Sequence, residues 1–253
     1  MRDSALNTIE THASYCFVFA HPDDEVYCCG LMSRLTTAGK RVAAVFLTSG
    51  DAGINAELRE REVAASMQSI GIAEKHTHLL RVAEQAVLSS LAEITSRLLE
   101  LIETMQADCV IGMDYEGGHE VHDAASYITS HCVAHYPATH YVLPVYHNEN
   151  GRRVAGGFLP SLKATDTVLL TDEERDIKIE VLEAHRGQIG HFLHLQKHNA
   201  RYFETIFARE VFRKIESPLD YEARPWNEIG YEAHRNGFKF ADFQQAIRIM
   251  RRA

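Results

Sequence analysis

The sequence predicts an α/β fold: a mostly parallel sheet with helices on both faces and an active site at the C-terminal ends of the strands. Three observations predict it. Short apolar runs of strand length alternate with longer segments of helical period, the pattern of right-handed βαβ units. The chain has 253 residues, enough for one large α/β domain. Residues able to do chemistry cluster directly after apolar runs, where ligands bind in such sheets.

Cys16-Phe17-Val18-Phe19-Ala20 reads as a buried strand. Glu25 to Ala38 carries Val26, Cys29, Met32 and Leu35 at helical spacing and closes at Gly39, a C-cap. Val42 to Leu47 is a second buried strand, followed by the turn Ser49-Gly50-Asp51. Glu57 to Ile70 reads as a helix stopped by Gly71, and His76 to Leu80 as a short strand. Leu88 to Met105 is a long amphipathic helix, Cys109 to Met113 a strand, Asp123 to Ala134 a helix and Tyr141 to Tyr146 a strand. Asp166 to Leu170 is strand-like. Thr171 with Glu174 three residues on forms a capping box for a helix through His185. Ser217 to Asn236 holds Pro218, Pro225 and the only tryptophan, Trp226, and reads as loop; Asp242 to Arg252 is a final helix. With no repeat and no linker, residues 1–253 are expected to form a single domain. A catalytic core spans about 15–190, and a loop-rich remainder, 191–253, shapes the pocket or an oligomer contact.

The apolar fraction of 45% and charged fraction of 24% are those of an ordinary globular protein. A net charge of −9 argues against nucleic acid as the partner. No apolar run is long enough for a membrane span, and Met1 to Ser14 lacks a signal core. The odd count of five cysteines with no CxxC pair reads as buried, reduced thiols. The expected setting is therefore cytoplasmic.

Two clusters carry the chemistry. In Ala20-His21-Pro22-Asp23-Asp24-Glu25, His21 and Asp24 stand three apart across a turn stiffened by Pro22, so both can reach one ion. Asp23 points beside that ion, where a carboxylate can take a proton from water the metal activates. In Gly118-His119-Glu120-Val121-His122-Asp123, His122 supplies a third ligand. His119 donates a hydrogen bond to the developing oxyanion or protonates the leaving amine. A His/Asp/His set suits Zn2+, and also iron, cobalt or nickel. Other histidine pairs, His191 with His194 and His131 with His135, read as solvated helix faces in a chain with fifteen histidines.

The first cluster matches the AHPDDE signature of the PIG-L/LmbE family of zinc-dependent N-acetylglucosamine-type deacetylases, and the second resembles that family's HPDH motif. Thr48-Ser49-Gly50-Asp51-Ala52-Gly53 resembles its TxGxxG segment, Arg59-Glu60-Arg61-Glu62 its RxxE helix, and His185-Arg186-Gly187-Gln188 a later H-x-S-Q element. The resemblance covers roughly residues 15 to 190. It implies a Rossmann-like fold and removal of acetate from an N-acetyl amino sugar or its conjugate. His21, Asp24 and His122 would be metal ligands, Asp23 the general base, His119 the oxyanion stabiliser or acid, and Arg59 a contact to substrate hydroxyls or charge. Relatives often form homo-oligomers. Glu120-Val121 replaces the family's Pro-Asp, losing an aspartate that pairs with the motif's first histidine; whether Asp123, just after the third ligand, substitutes for it is left open by the sequence. Tyr221, Trp226 and Tyr231 are aromatic candidates for sugar stacking, although packing is the commoner use.

Competing readings are fewer. No GxGxxG or GxxxxGK[ST] supports a nucleotide-binding protein, and no GxSxG elbow supports a serine hydrolase. An amidase acting on a thiol or sugar conjugate, and a family member that binds metal without turnover, remain as alternatives.

Overall fold

The computed structural model describes residues 8–51, 55–188, 190, 205–234 and 238–252. A seven-stranded sheet runs in the order β3-β2-β1-β4-β5-β9-β8. Its parallel part comprises β1 (Ser14–Phe19), β2 (Arg41–Thr48), β3 (Thr77–Val82), β4 (Cys109–Met113) and β5 (Thr139–Leu143). All six residues of β1 are buried, as befits a central strand covered on both faces. Phe17, Phe19 and Phe46 stack across β1 and β2. Helices α1 (Cys29–Thr37), α2 (Ala56–Ile70), α3 (Leu91–Met105) and α4 (Glu120–His135) connect successive strands. The predicted mostly parallel α/β architecture is the one observed.

The elements differ from expectation where backbone chemistry intervenes. The segment after Glu25 opens as a tight turn of 3-10 helix at Asp24–Tyr27 before α1 begins. The strand expected over residues 141–146 stops at Leu143, because Pro144 has no N–H for the ladder. Tyr146 then begins a hairpin, β6 (Tyr146–Glu149) with β7 (Arg152–Ala155), which the sequence did not announce. Trp226 ties down this hairpin by donating its indole N–H to the Asn148 carbonyl (2.9 Å). The sheet also gains β8 (Asp166–Leu169) and an unforeseen β9 (Arg209–Lys214), which inserts antiparallel between β5 and β8. The capping box of Thr171 and Glu174 starts α5 (Asp172–Ala184) as expected, and Glu174 also grips Arg34 through two 2.7 Å bonds. Two C-terminal helices follow, α6 (Gly230–His234) and α7 (Phe240–Met250).

A buried charge pair locks β9 to the first helix. The Glu210 carboxylate on β9 accepts from the backbone N–H groups of Gly30 and Leu31 (2.9 and 2.8 Å) and meets Lys178 Nζ of α5 at 2.7 Å. Both side chains are fully buried. Two otherwise unpaired donors at the N-terminus of α1 are thereby satisfied by a residue remote in sequence. Gly30 leaves room for this contact: a Cβ there would lie 2.5 Å from Leu170 Cδ2 and 3.0 Å from Glu210 Oε1 and would push those side chains aside. All five cysteines are buried free thiols. Among the described residues no helix is long and apolar enough to cross a membrane.

Candidate metal centre

The C-terminal ends of β1, β2, β3 and β4 open onto one cleft of about 320 Å³, and every sequence-predicted site residue lines it: His21, Asp23, Asp24, Arg59, His119 and His122. The loop after β1 is held from several directions. His21 N–H donates to Asp24 Oδ2 (2.7 Å), and Thr48 Oγ1 of β2 donates to the Ala20 carbonyl (2.7 Å). Asp23 sits at φ 112°, a left-handed conformation that aspartate tolerates better than most residues, with its N–H donated to Glu25 Oε2 (3.0 Å). Glu25 is in turn clamped beneath the loop by His185 Nε2 (2.6 Å) and Ser66 Oγ (2.5 Å).

Arg59 is almost wholly buried at the floor of the cleft. Its Nη2 donates to the Pro22 carbonyl and lies 3.4 Å from Asp23 Oδ2, while Nη1 is 3.6 Å from Glu62. Gly50, at φ +59°, gives the guanidinium room: a Cβ would stand 2.9 Å from Arg59 Nε. Residues 52 and 53 of the glycine-containing segment lie outside the described residues.

His21, Asp24 and His122 converge, with their donor atoms all within 4.8 Å of one another. His21 Nδ1 is 3.1 Å from His122 Nε2, and each histidine nitrogen is 3.5 Å from an Asp24 oxygen. Ligands around tetrahedral zinc, at bonds of about 2.0–2.2 Å, stand about 3.3–3.5 Å apart. The three donors therefore fit a small divalent cation with little rearrangement. Burial opposes charge on Asp24, but His122 and His21 outweigh it and keep the carboxylate ionised below its usual range. Burial likewise opposes protonation of His21, yet Asp24, Glu84 and Asp23 raise its pKa. For Asp23 burial wins over Arg59 and pushes the carboxyl up to about 6, a value suited to a base working near neutrality.

The second motif sits at the start of α4. His119 is the N-cap, its Nδ1 accepting from Val121 N–H (3.1 Å), and its Nε2 faces Glu84 Oε1 at 3.5 Å. Asp123 does not take the place of the family's aspartate. Its carboxylate accepts from the Glu116 and Gly117 N–H groups (3.3 and 3.0 Å) and from Tyr231 OH (3.2 Å), and burial pushes it up to about 7. It shapes the loop that precedes α4 rather than pairing with His119. With Asp114, raised by burial to about 6 against Arg213, and Glu116, pushed well above the usual range by burial and Asp114, it forms an acidic layer behind the site.

Of the remaining histidine and aromatic candidates, only Tyr231 reaches the cleft among the described residues. His131 and His135 stack on one another along α4, ring centroids 4.5 Å apart. His191 and His194 lie outside the described residues. Tyr221 is buried and bonded to Ser126 and Ser130, so it serves packing. Tyr231 lines the cleft edge, as do three residues that the sequence reading missed: Glu84, Tyr146 and Arg153. Arg153 covers the Tyr146 ring at 4.3 Å. Glu84 lies two residues past the end of β3, but no motif in sequence sets it apart, and the hairpin residues carry no signal either.

Fold and site together define a Rossmann-like α/β protein with a His/Asp/His donor set at its strand ends. Residues 16–133 match the PIG-L family model, GlcNAc-PI de-N-acetylase. No curated protein matches it in sequence. Among solved structures, the A40926 pseudoaglycone deacetylase Dbv21 shares the fold at a TM-score of 0.62 and 14% identity, over 83% of this chain and 100% of that one. The N,N'-diacetylchitobiose deacetylase of Pyrococcus horikoshii superposes at 0.62 and 17% identity, over 91% and 89%. The same fold also houses the 4-carboxy-2-hydroxymuconate hydratase GalB of Pseudomonas putida KT2440, at 0.53 and 13% identity over 82% and 98%.

Proposed function

We propose that this protein is a metal-dependent N-deacetylase that removes acetate from an N-acetyl amino sugar or its conjugate, with Zn2+ as its metal. The observation that carries the reading is the convergence of His21, Asp24 and His122 on one point, with Asp23 beside them in the same cleft. The family match and the two deacetylase neighbours support it, and the family's own description supplies the substrate class. Five buried, unpaired thiols fit a cytoplasmic setting, and one sheet running from Ser14 to Lys214 fits a single domain.

His21, Asp24 and His122 would hold the metal, which when bound polarises the amide carbonyl and makes water more acidic. Asp23 accepts the proton as water adds to the carbonyl carbon, aided by its raised affinity for a proton. Arg59 fixes that carboxylate and the Pro22 carbonyl, and its guanidinium lines the cleft where a substrate hydroxyl or charge would lie. His119 donates from Nε2 to the oxygen that gains charge, because Nδ1 is engaged by Val121. Transfer of the proton from Asp23 to the amide nitrogen breaks the C–N bond and leaves acetate and a free amine.

Elemental analysis paired with acetate release from a panel of N-acetylated sugars and conjugates tests this reading. About one zinc per chain with acetate release, lost in Asp23→Asn with metal retained, is expected. Carefully purified protein that binds no divalent cation overturns it. A hydration activity without acetate release places the chain with the hydratase that shares its fold.

A further inference from the structure

We infer that the hairpin β6–β7 is the specificity wall of the cleft, selecting the hydroxylated group joined to the acetylated amino sugar, and that Trp226 and Glu228 are the positioning residues that hold it there. The inference rests on the proposed function, which makes this cleft the substrate site. Two hairpin residues reach the cleft, Tyr146 and Arg153. The register pairs Tyr146 with Ala155 and Asn148 with Arg153, so Tyr146 and Arg153 are diagonal neighbours on one face. The Tyr146 ring meets the His122 ring edge to face, centroids 5.2 Å apart, and the Arg153 guanidinium covers the same Tyr146 ring at 4.3 Å. A candidate metal ligand, a phenol and a guanidinium therefore follow one another along the cleft. With the acetamide at the metal, Tyr146 borders the amino sugar and Arg153 borders what is attached to it. A guanidinium stacked on a ring keeps its N–H donors in its own plane, where the hydroxyl oxygens of a second sugar can accept them.

A hairpin of four residues a side is marginal on its own, and this one pairs with no strand of the seven-stranded sheet, so its place depends on other contacts. Trp226 supplies one, donating its indole N–H to the carbonyl of Asn148, the residue opposite Arg153 (2.9 Å). Glu228 supplies a second at the tip. Asn150 and Gly151 take positive φ of 52° and 72°, as a two-residue turn between twisted strands requires, and both of their N–H groups donate to the Glu228 carboxylate (2.6 and 2.9 Å). The segment carrying Trp226 and Glu228 is itself anchored beside the second motif, since Gly230 N–H donates to the Gly117 carbonyl (2.7 Å). The base of the hairpin rests on that same loop: a Cβ on Gly118 would stand 2.8 Å from the Tyr146 ring. Trp226 and Glu228 thus set the distance between the hairpin and the start of α4, where His119 and His122 lie, and neither lines the cleft. The donor set comes from residues 21–122, the wall from 146–153 and its supports from 226–230, so recognition is separated from chemistry along the chain.

Zinc-loaded full-length wild type, Trp226→Phe and Glu228→Ala are compared on N-acetylglucosamine and on its disaccharide, N,N'-diacetylchitobiose. Trp226→Phe keeps a ring and removes the indole N–H, so it guards against a folding defect. In both variants KM for the disaccharide is expected to rise about tenfold, with a smaller rise for the monosaccharide, kcat within about twofold and zinc content unchanged. Glu228→Gln, which keeps an acceptor oxygen at the turn, is expected to restore most of the disaccharide KM. Without any sugar, the Asn150 and Gly151 amides are expected to exchange faster in Glu228→Ala, and the Tyr146 ring NMR signals to move in both variants. An unchanged disaccharide KM, equal losses on the two sugars, a fall in kcat with KM constant, or unmoved Tyr146 signals overturns the inference. If the wild type releases acetate from neither sugar, deacetylation of these sugars fails as a reading, and the wall is judged by titration instead. The disaccharide is then expected to shift the Tyr146 ring signals of the wild type more than the monosaccharide does, and no shift with either sugar overturns the inference.

Discussion

Asp23 occupies a left-handed backbone position between two candidate ligands, and that conformation dictates how it must be tested. Asparagine tolerates φ > 0 nearly as well as aspartate, so Asp23→Asn preserves the loop while removing the proposed base. Metal content is expected to remain at the wild-type level, with turnover down about 10²–10⁴-fold. His21→Ala has a different signature: loss of one of three donors removes stoichiometric zinc, read directly by elemental analysis. His131→Ala, on the outer half of α4, is expected to leave both metal and rate unchanged. The candidate centre was legible in sequence to the extent that its residues are adjacent in sequence: His21, Asp23 and Asp24 share one turn, and His119 and His122 another. Glu84 was not, because its relation to His119 exists only once β3 and β4 are placed on either side of β2 and β1. The part played by Asp123 stayed open in sequence for the converse reason. Being next to His122 in sequence puts it on a helical turn that faces the Gly117 amide instead of the His119 ring.

At the scale of elements, the buried Lys178–Glu210 pair ties α5, β9 and the start of α1 together. Lys178→Met leaves Glu210 charged in an apolar interior and is expected to destabilise the protein by about 3–5 kcal/mol in denaturant unfolding. Adding Glu210→Gln removes the stranded charge, so the double variant is expected to be more stable than Lys178→Met alone. The same network explains why the parallel strands could be read from sequence and β9 could not. Strands β1, β2 and β4 are uninterrupted apolar runs because both of their faces are covered. In β9 the buried positions are Glu210 and Phe212, so one inward residue is a carboxylate and the alternation is disguised. The hairpin β6–β7 is polar on both strands and takes its place by pairing and by the Trp226 bond, neither of which leaves a periodic trace.

Across the whole molecule, His185 joins the end of α5 to the floor of the candidate centre, bonded to Glu25 and 3.9 Å from Glu62. Burial opposes its protonation, but Glu25 and Glu62 raise its pKa to about 10. A histidine held charged in the fold stabilises it fully below its unfolded pKa of about 6.5, and the contribution disappears as pH rises through about 10. Thermal midpoints are therefore expected to fall between neutral pH and pH 10, and that fall to be smaller in His185→Gln, whose midpoint is lower at neutral pH. The antiparallel insertion of β9 has a consequence for biosynthesis. As the chain leaves the ribosome, β8 emerges before the strand that joins it to the sheet, and the N-terminus of α1 waits for Glu210 until most of the polypeptide has been made. Nascent chains that stop short of residue 209 thus expose an unpaired β5 edge and an uncapped first helix together, which makes them natural clients for a chaperone until β9 arrives.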